Sequence, residues 1–148
     1  MYKTISDFDQ RSEKTKYLEF IESHKKSARV WEIWRYYEWI NIGNEISKGW
    51  LFVRPCVVVH TKVWNGLIMI FPLTTKYHDR MKRWYFEIHN YKRFWKLKKS
   101  WIILNQVQLI DRKRLSNKLS KKRIKKRVIT YLLDKYHHTL KNTLTGSE

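Results

Sequence analysis

Residues 50–72 read Trp50-Leu-Phe-Val-Arg-Pro-Cys-Val-Val-Val-His60-Thr-Lys-Val-Trp-Asn65-Gly66-Leu67-Ile-Met-Ile-Phe71-Pro72. Two runs rich in β-branched and aromatic residues flank Asn-Gly, the dipeptide that most readily supplies the consecutive positive-φ positions of a tight turn. The stretch predicts strands over Trp50–His60 and Leu67–Phe71, the second ended by Pro72. Cys56-Val-Val-Val alternates poorly between apolar and polar, which predicts burial on both faces. Pro55 removes a ladder amide near the first strand's start, so that point is expected at an edge or bulge.

Reading outward, Val30 to Trp39 is dense in aromatic and β-branched residues and predicts an earlier strand, followed by a polar loop from Asn41 to Gly49. Trp84–Ile88 and Trp101–Ile110 predict two further strands beyond the basic loop Lys76–Lys82. Short strands in close succession argue for a strongly twisted antiparallel sheet or a partly closed barrel. Two helical segments bracket it. Ser6 and Asp9 suit a helix start, and Tyr17, Phe20, Ile21 and His24 share a face, so residues 1–28 are expected to form an N-terminal helical extension. Ser120 is expected to cap a C-terminal helix in which Ile124, Val128, Leu132 and Tyr136 recur every fourth residue, with Lys121, Lys122, Lys125, Lys126 and Arg127 on the other face. The domain is expected over residues 29–142, with 143–148 as a tail.

Composition narrows the function classes. The 148 residues carry 32 Lys and Arg against 13 Asp and Glu, a net charge of +19 that attracts polyanions. One cysteine, Cys56, excludes an intramolecular disulfide framework and any multi-thiolate metal site. His78, His89, His137 and His138 follow no zinc spacing, so no metal and no cofactor are expected. The polar start lacks a signal-peptide core, and the longest apolar run, Leu67–Leu73, is far too short to span a bilayer. A cytoplasmic protein without a membrane partner is the expectation. Between Lys76 and Lys99, Lys76, Arg80, Lys82, Lys92, Arg93 and Lys96 are interleaved with Tyr77, Trp84, Tyr91, Phe94 and Trp95. Cations that neutralise phosphates beside rings that stack bases are what single-strand binders use, and these six are the RNA-binding candidates.

Glu32-Ile-Trp34, Gly43-Asn-Glu45, Arg54-Pro55 before the valines, Asn65, Pro72-Leu-Thr-Thr-Lys76, Gln106, and Ile110-Asp111-Arg-Lys113-Arg-Leu115 follow one another over roughly residues 29–140. Their order resembles that of the MazF/PemK toxins of bacterial toxin–antitoxin systems. The resemblance implies a small SH3-like antiparallel barrel, mainly β, with a C-terminal helix, assembled as a homodimer whose shared groove takes single-stranded RNA. It implies a metal-independent endoribonuclease that leaves 2′,3′-cyclic phosphate and 5′-hydroxyl ends, blocked by a cognate acidic antitoxin.

Carried onto this chain, the resemblance makes Arg54 and Thr74 the catalytic pair, with Glu45 as the loop acid. A guanidinium clamps nonbridging phosphate oxygens while staying charged, and a threonine hydroxyl donates to the same group. The chain also departs from the family. Asn105-Gln106-Val107-Gln108 stands where Asp-Gln-x-Arg is common, His60 where serine is frequent, and Trp31 where glycine is usual. Asn105 and Gln106 are therefore expected to orient substrate, and His60 is the candidate to replace the missing acid. The alternative is a catalytically weakened nucleic-acid or antitoxin-binding module of the same fold.

Overall fold

The computed structural model describes residues 27–38, 53–88, 92–93, 96–97, 99–120 and 122–146, the two short pieces at 92–93 and 96–97 by backbone alone. The expected N-terminal extension, except residues 27 and 28, and Glu45 lie outside them. The central hairpin pairs β1 (Ile33–Tyr37) with β2 (Val53–Trp64), and β2 with β3 (Leu67–Thr74), all antiparallel. Asn65 and Gly66 turn the chain with φ of 44° and 83°, the two positive values that Asn-Gly supplies with least strain. Pro55 pairs with Arg35 but lies before the first β2–β3 pair, Cys56↔Pro72, so its missing amide falls at the margin of the ladder.

Beyond the hairpin follow β4 (Tyr85–Ile88), the two-residue pieces β5 (Lys92–Arg93) and β6 (Lys96–Leu97), β7 (Ser100–Ile103), β8 (Gln108–Asp111) and β9 (Leu115–Lys118). The expected strand over 101–110 is thus two strands. A 3-10 turn at Leu104–Gln106 breaks it, because β3 passes from one neighbour to another there: β8 lies along Leu67–Ile70 and β7 along Leu73–Thr74. Leu104 is fully buried at the break, and Pro72 occupies the gap where that edge of β3 requires no ladder amide.

The sheet runs β4-β7-β3-β2-β1-β9, with β8 also on β3. The expected barrel is not formed. The path ends at β4 on one side and β9 on the other, and no pairing joins them among the described residues. The physical reason lies in the 3-10 turns at 104–106 and 112–114: they set β7 and β8 on successive segments of β3 and carry β9 across to β1, so none of the three pairs with another.

Both faces of this open sheet are covered. On one face Trp34, Tyr36, Cys56, Val58, Ile68, Ile70, Ile110 and Leu115 pack together. On the other, Ile33, Val57, Phe71, Leu73, Ile88, Ile102 and Leu104 meet Ile124 and Leu132, with Val128, Ile129 and Tyr136 partly buried against them. Leu132, Val128, Ile129 and Tyr136 belong to α1 (Lys126–Thr145), the helix that the fourfold spacing predicts. It starts later than expected. Ser120 does not cap it; its Oγ accepts the Ile33 amide at 3.1 Å, and Lys125 precedes the helix without a side-chain cap. A helix so begun depends on docking, which stabilises by roughly 1.5–3 kcal/mol per fully buried large side chain such as Leu132. It runs into the expected tail and stops at Gly146, whose φ of 67° lets its amide donate to the Asn142 carbonyl.

The Glu32-Ile-Trp34 motif acts as a clasp. Buried Glu32 accepts the Arg29 amide at 3.0 Å and Trp34 Nε1 at 3.0 Å, and pairs with Lys118 Nζ of β9 at 3.3 Å. Burial alone raises its pKa, but the hydrogen bonds and Lys118 outweigh that and hold the carboxyl below its ordinary range. Trp31, where the family favours glycine, sits at φ 66°, a conformation that costs a non-glycine residue about 1–2 kcal/mol. Packing of its indole against the helix-side core and donation of its amide to the Val58 carbonyl offset that strain.

Candidate functional site

Arg54 and Thr74 lie at neighbouring ends of β2 and β3. The β2–β3 register ends at Cys56↔Pro72, and Arg54 and Thr74 each lie two residues beyond that last pair, at the same end of the two strands. By strand alternation Arg54 shares the face of Cys56, and Thr74 that of Pro72.

Arg54 is only 6% exposed, and its Nε lies 2.8 Å from Oε2 of Glu38, itself buried. The contact is an ion pair by distance, without the alignment of a hydrogen bond. Tyr36, directly opposite Arg54 across β1–β2, donates its hydroxyl to Glu38 Oε1 at 3.3 Å. Burial, then the Glu38 charge, pushes the Tyr36 phenol well above its ordinary pKa, so it stays a neutral donor. Arg114 belongs to the same neighbourhood. Burial lowers its pKa to about 10, against the pull of Tyr36, Glu38 and Asp111.

Glu38, Tyr36 and Arg114 escape the sequence reading, yet a signal for one was there. Trp34, Tyr36 and Glu38 alternate onto the face that Arg54, Cys56 and Val58 occupy on the next strand. An acid and an arginine at core-facing parity, on strands predicted as neighbours, point to a buried pair.

Thr74 Oγ1 accepts the Lys76 amide at 3.1 Å and donates to the Lys76 carbonyl at 3.4 Å. The donation is long and weak, so little is lost when the hydroxyl proton turns to another acceptor. After Thr74 the chain is open to solvent: Lys76, Arg80 and Lys82 are all exposed. The 3-10 segment Asp79–Trp84 that carries the latter two is tied to α1, where Lys135 Nζ donates to the Lys82 and Tyr85 carbonyls and Thr139 Oγ1 to the Arg83 carbonyl. Trp84 is half-buried, packed against the helix-side core. Lys92, Arg93 and Lys96 fall in β5 and β6, whose side chains are not described; Tyr91, Phe94 and Trp95 lie outside the described residues.

The other candidates are spread out. His60 is exposed, six residues beyond Arg54 on β2, roughly 20 Å at the rise of a strand. Asn105 is exposed and Gln106 half-buried on the 3-10 turn that passes β3 at the break between β7 and β8. Among the described residues, no three His, Cys, Asp or Glu side chains gather into a metal-ligand set, and no helix is long and apolar enough to cross a membrane.

Residues 31–141 match the family described as PemK-like, MazF-like toxin of type II toxin-antitoxin system. A solved structure described as an endoribonuclease in complex with its cognate antitoxin, from Mycobacterial species, aligns with a TM-score of 0.52. The alignment covers 77% of this chain and 95% of that one at 8% sequence identity, a likeness of fold. No curated protein matches the sequence.

Proposed function

This chain belongs to the PemK-like, MazF-like toxins of type II toxin–antitoxin systems, and from that premise we propose that it is an endonuclease of single-stranded RNA. The observation that supports the reading is the position of Arg54 and Thr74 at the same end of the paired strands β2 and β3, each two residues beyond their last pair. The ribose 2′-hydroxyl oxygen attacks the adjacent phosphorus, the bond to the 5′ oxygen breaks, and the attacking hydroxyl's proton is lost while the leaving oxygen gains one. The products carry 2′,3′-cyclic phosphate and 5′-hydroxyl ends, and no step runs through a metal.

Negative charge gathers on the nonbridging oxygens in the transition state. Because Glu38 engages Nε, the terminal Nη pair of Arg54 is the fork assigned to that charge. Thr74 Oγ1 turns its proton from the Lys76 carbonyl to the same phosphate. His60 is distant and Asn105 cannot ionise, so Glu45 is the remaining candidate to move the proton. Lys76, Arg80, Lys82, Lys92, Arg93 and Lys96 hold the flanking phosphates. A homodimer completes the groove, and an acidic antitoxin occupies it in the inhibited state.

The deciding experiment incubates the protein with single-stranded RNA in EDTA and identifies the new ends. Cyclic phosphate and 5′-hydroxyl termini support the reading; intact RNA at high protein concentration overturns it. A second reading, a module that binds RNA or antitoxin without turnover, is favoured by the burial of Arg54 against Glu38. It requires binding without cleavage in the same assay.

A further inference from the structure

Next to Thr74 the surface carries an aromatic group that the proposed chemistry does not use. Tyr77 is 40% exposed, an unusual position for a large ring held by other rings. Its centroid lies 5.3 Å from that of Trp101, at 43°, and 5.7 Å from that of Tyr85, at 56°. Tyr85 is buried and Trp101 half-buried, so the two fix Tyr77 from the protein side and leave the rest of its ring to solvent. Trp101 is directly opposite Thr74 in the β3–β7 ladder, which anchors the group to the candidate site. Tyr77 follows Thr74 by three positions, a reach of at most about 11 Å.

We infer that Tyr77, backed by Trp101 and Tyr85, is a stacking platform for the nucleobase beside the scissile phosphate, a subsite that deepens the RNA reading and rests on it. The charges around it favour a polyanion carrying flat rings. Lys76 precedes it, and Arg80 and Lys82 follow on the adjoining 3-10 segment, all exposed. The acid on the same cross-strand row, Glu87 opposite Trp101, is paired with Lys99 at 3.1 Å, which reduces its repulsion of a phosphate chain. A ring already held by two neighbours gives up little conformational freedom on stacking, so more of the contact appears as affinity. Every base has a π-face, so the platform contributes to affinity and positioning more than to a strict sequence code.

The test uses short 2′-O-methyl RNA oligonucleotides, which lack the attacking hydroxyl, and scans one abasic nucleotide along the strand. With wild-type protein, base removal at one position should weaken binding on the order of 10-fold, the usual effect of a lost base–aromatic stack. Tyr77→Ala should bind the intact strand weaker by a similar factor and become indifferent to the abasic site at that position. Tyr77→Phe should behave as wild type. 2-Aminopurine at that position should be quenched by wild-type protein and by Tyr77→Phe, not by Tyr77→Ala. Equal affinity of wild type and Tyr77→Ala, or an abasic penalty that survives in Tyr77→Ala, overturns the platform while leaving the RNA reading intact. Wild-type protein that binds no single strand at low salt rejects the RNA reading itself, and the platform with it.

Discussion

Two regions meet at Thr74, and their charged groups live under different physics. On the sheet face, Arg54 and Glu38 are nearly water-free, held 2.8 Å apart with the Tyr36 hydroxyl on the same carboxylate. After the strand ends, Lys76, Arg80 and Lys82 stand in solvent. A buried ion pair is costly to make and far costlier to half-break, whereas an exposed cation acts through a screened field that salt weakens. In the proposed function the difference separates positioning from attraction: the first region would place one group at one phosphate, and the second would gather the strand.

The comparison breaks most visibly at Glu38. Removing it leaves the Arg54 guanidinium buried without its partner, and Glu38→Ala should lose about 3–5 kcal/mol of folding stability in urea titration. Glu38→Gln keeps a shape that can accept from Tyr36 and should lose less. A loss under about 1 kcal/mol for Glu38→Ala would place the pair with exposed ion pairs and dissolve the contrast.

Arg54 tests whether the buried region does chemistry. Arg54→Ala should reduce single-turnover cleavage by about 100-fold or more. It also removes the cation beside Glu38, so rates are compared at temperatures where thermal unfolding shows the variant native. Arg54→Lys retains a cation for Glu38 but loses the planar fork, and should recover stability better than rate. Parental cleavage by folded Arg54→Ala would remove the proposed active site. Thr74→Ala should cost about 10-fold in rate, the scale of one hydrogen bond to a charged group, with Thr74→Ser retaining part. The same loss in both would show that the rate does not depend on the hydroxyl and would remove Thr74 from the proposed chemistry.

How far the sequence discloses these regions follows from the range of the interactions involved. The hairpin is legible because Asn65-Gly66 acts locally, and α1 because Val128, Leu132 and Tyr136 repeat along one element. The break at Leu104–Gln106 carries no glycine or proline; it answers to how β3 is shared between β7 and β8, which no local window contains. Ser120 looks like a helix cap until Ile33, far away in the chain, claims its hydroxyl. Closure into a barrel depends on whether β4 and β9 meet, again a nonlocal matter. At the proposed site, the motif order points to Arg54 and Thr74, and core-facing parity hints at Glu38 as the partner of Arg54, but the β1–β2 register is needed to fix that pair.

A further buried carboxylate, Glu32, sharpens the contrast through pH. Its folded-state pKa is depressed below the ordinary 4.5. Its clasp therefore contributes fully above the unfolded-state pKa and is lost as pH falls through the folded-state value. Glu32→Gln should be less stable than wild type at neutral pH, and the gap should narrow as the pH is lowered below about 4.5. Measurement of the thermal midpoint across pH 3–7 checks this; a gap that widens towards acid would reverse the sign and show that burial dominates the group.

The smallest effect belongs to the exposed region, where it distinguishes gathering from positioning. Arg80 is exposed on the 3-10 segment, and removing it should leave folding within about 0.5 kcal/mol of wild type. Its proposed contribution to RNA binding is counterion release, so Arg80→Ala should weaken binding only a few-fold at moderate salt. The slope of log affinity against log salt should flatten by about 0.7, the expectation for one phosphate contact on a single strand. The decrement should be the same for oligonucleotides of different sequence, because a phosphate contact reads no base. Cleavage at saturating RNA should be unchanged, since a cation that only raises local strand concentration acts before the chemical step. An unchanged salt slope in Arg80→Ala removes that residue from the RNA path. A fall in saturating rate with an unchanged slope would instead assign Arg80 to the reacting phosphate, and the division between a buried site that positions and an exposed one that gathers would no longer hold.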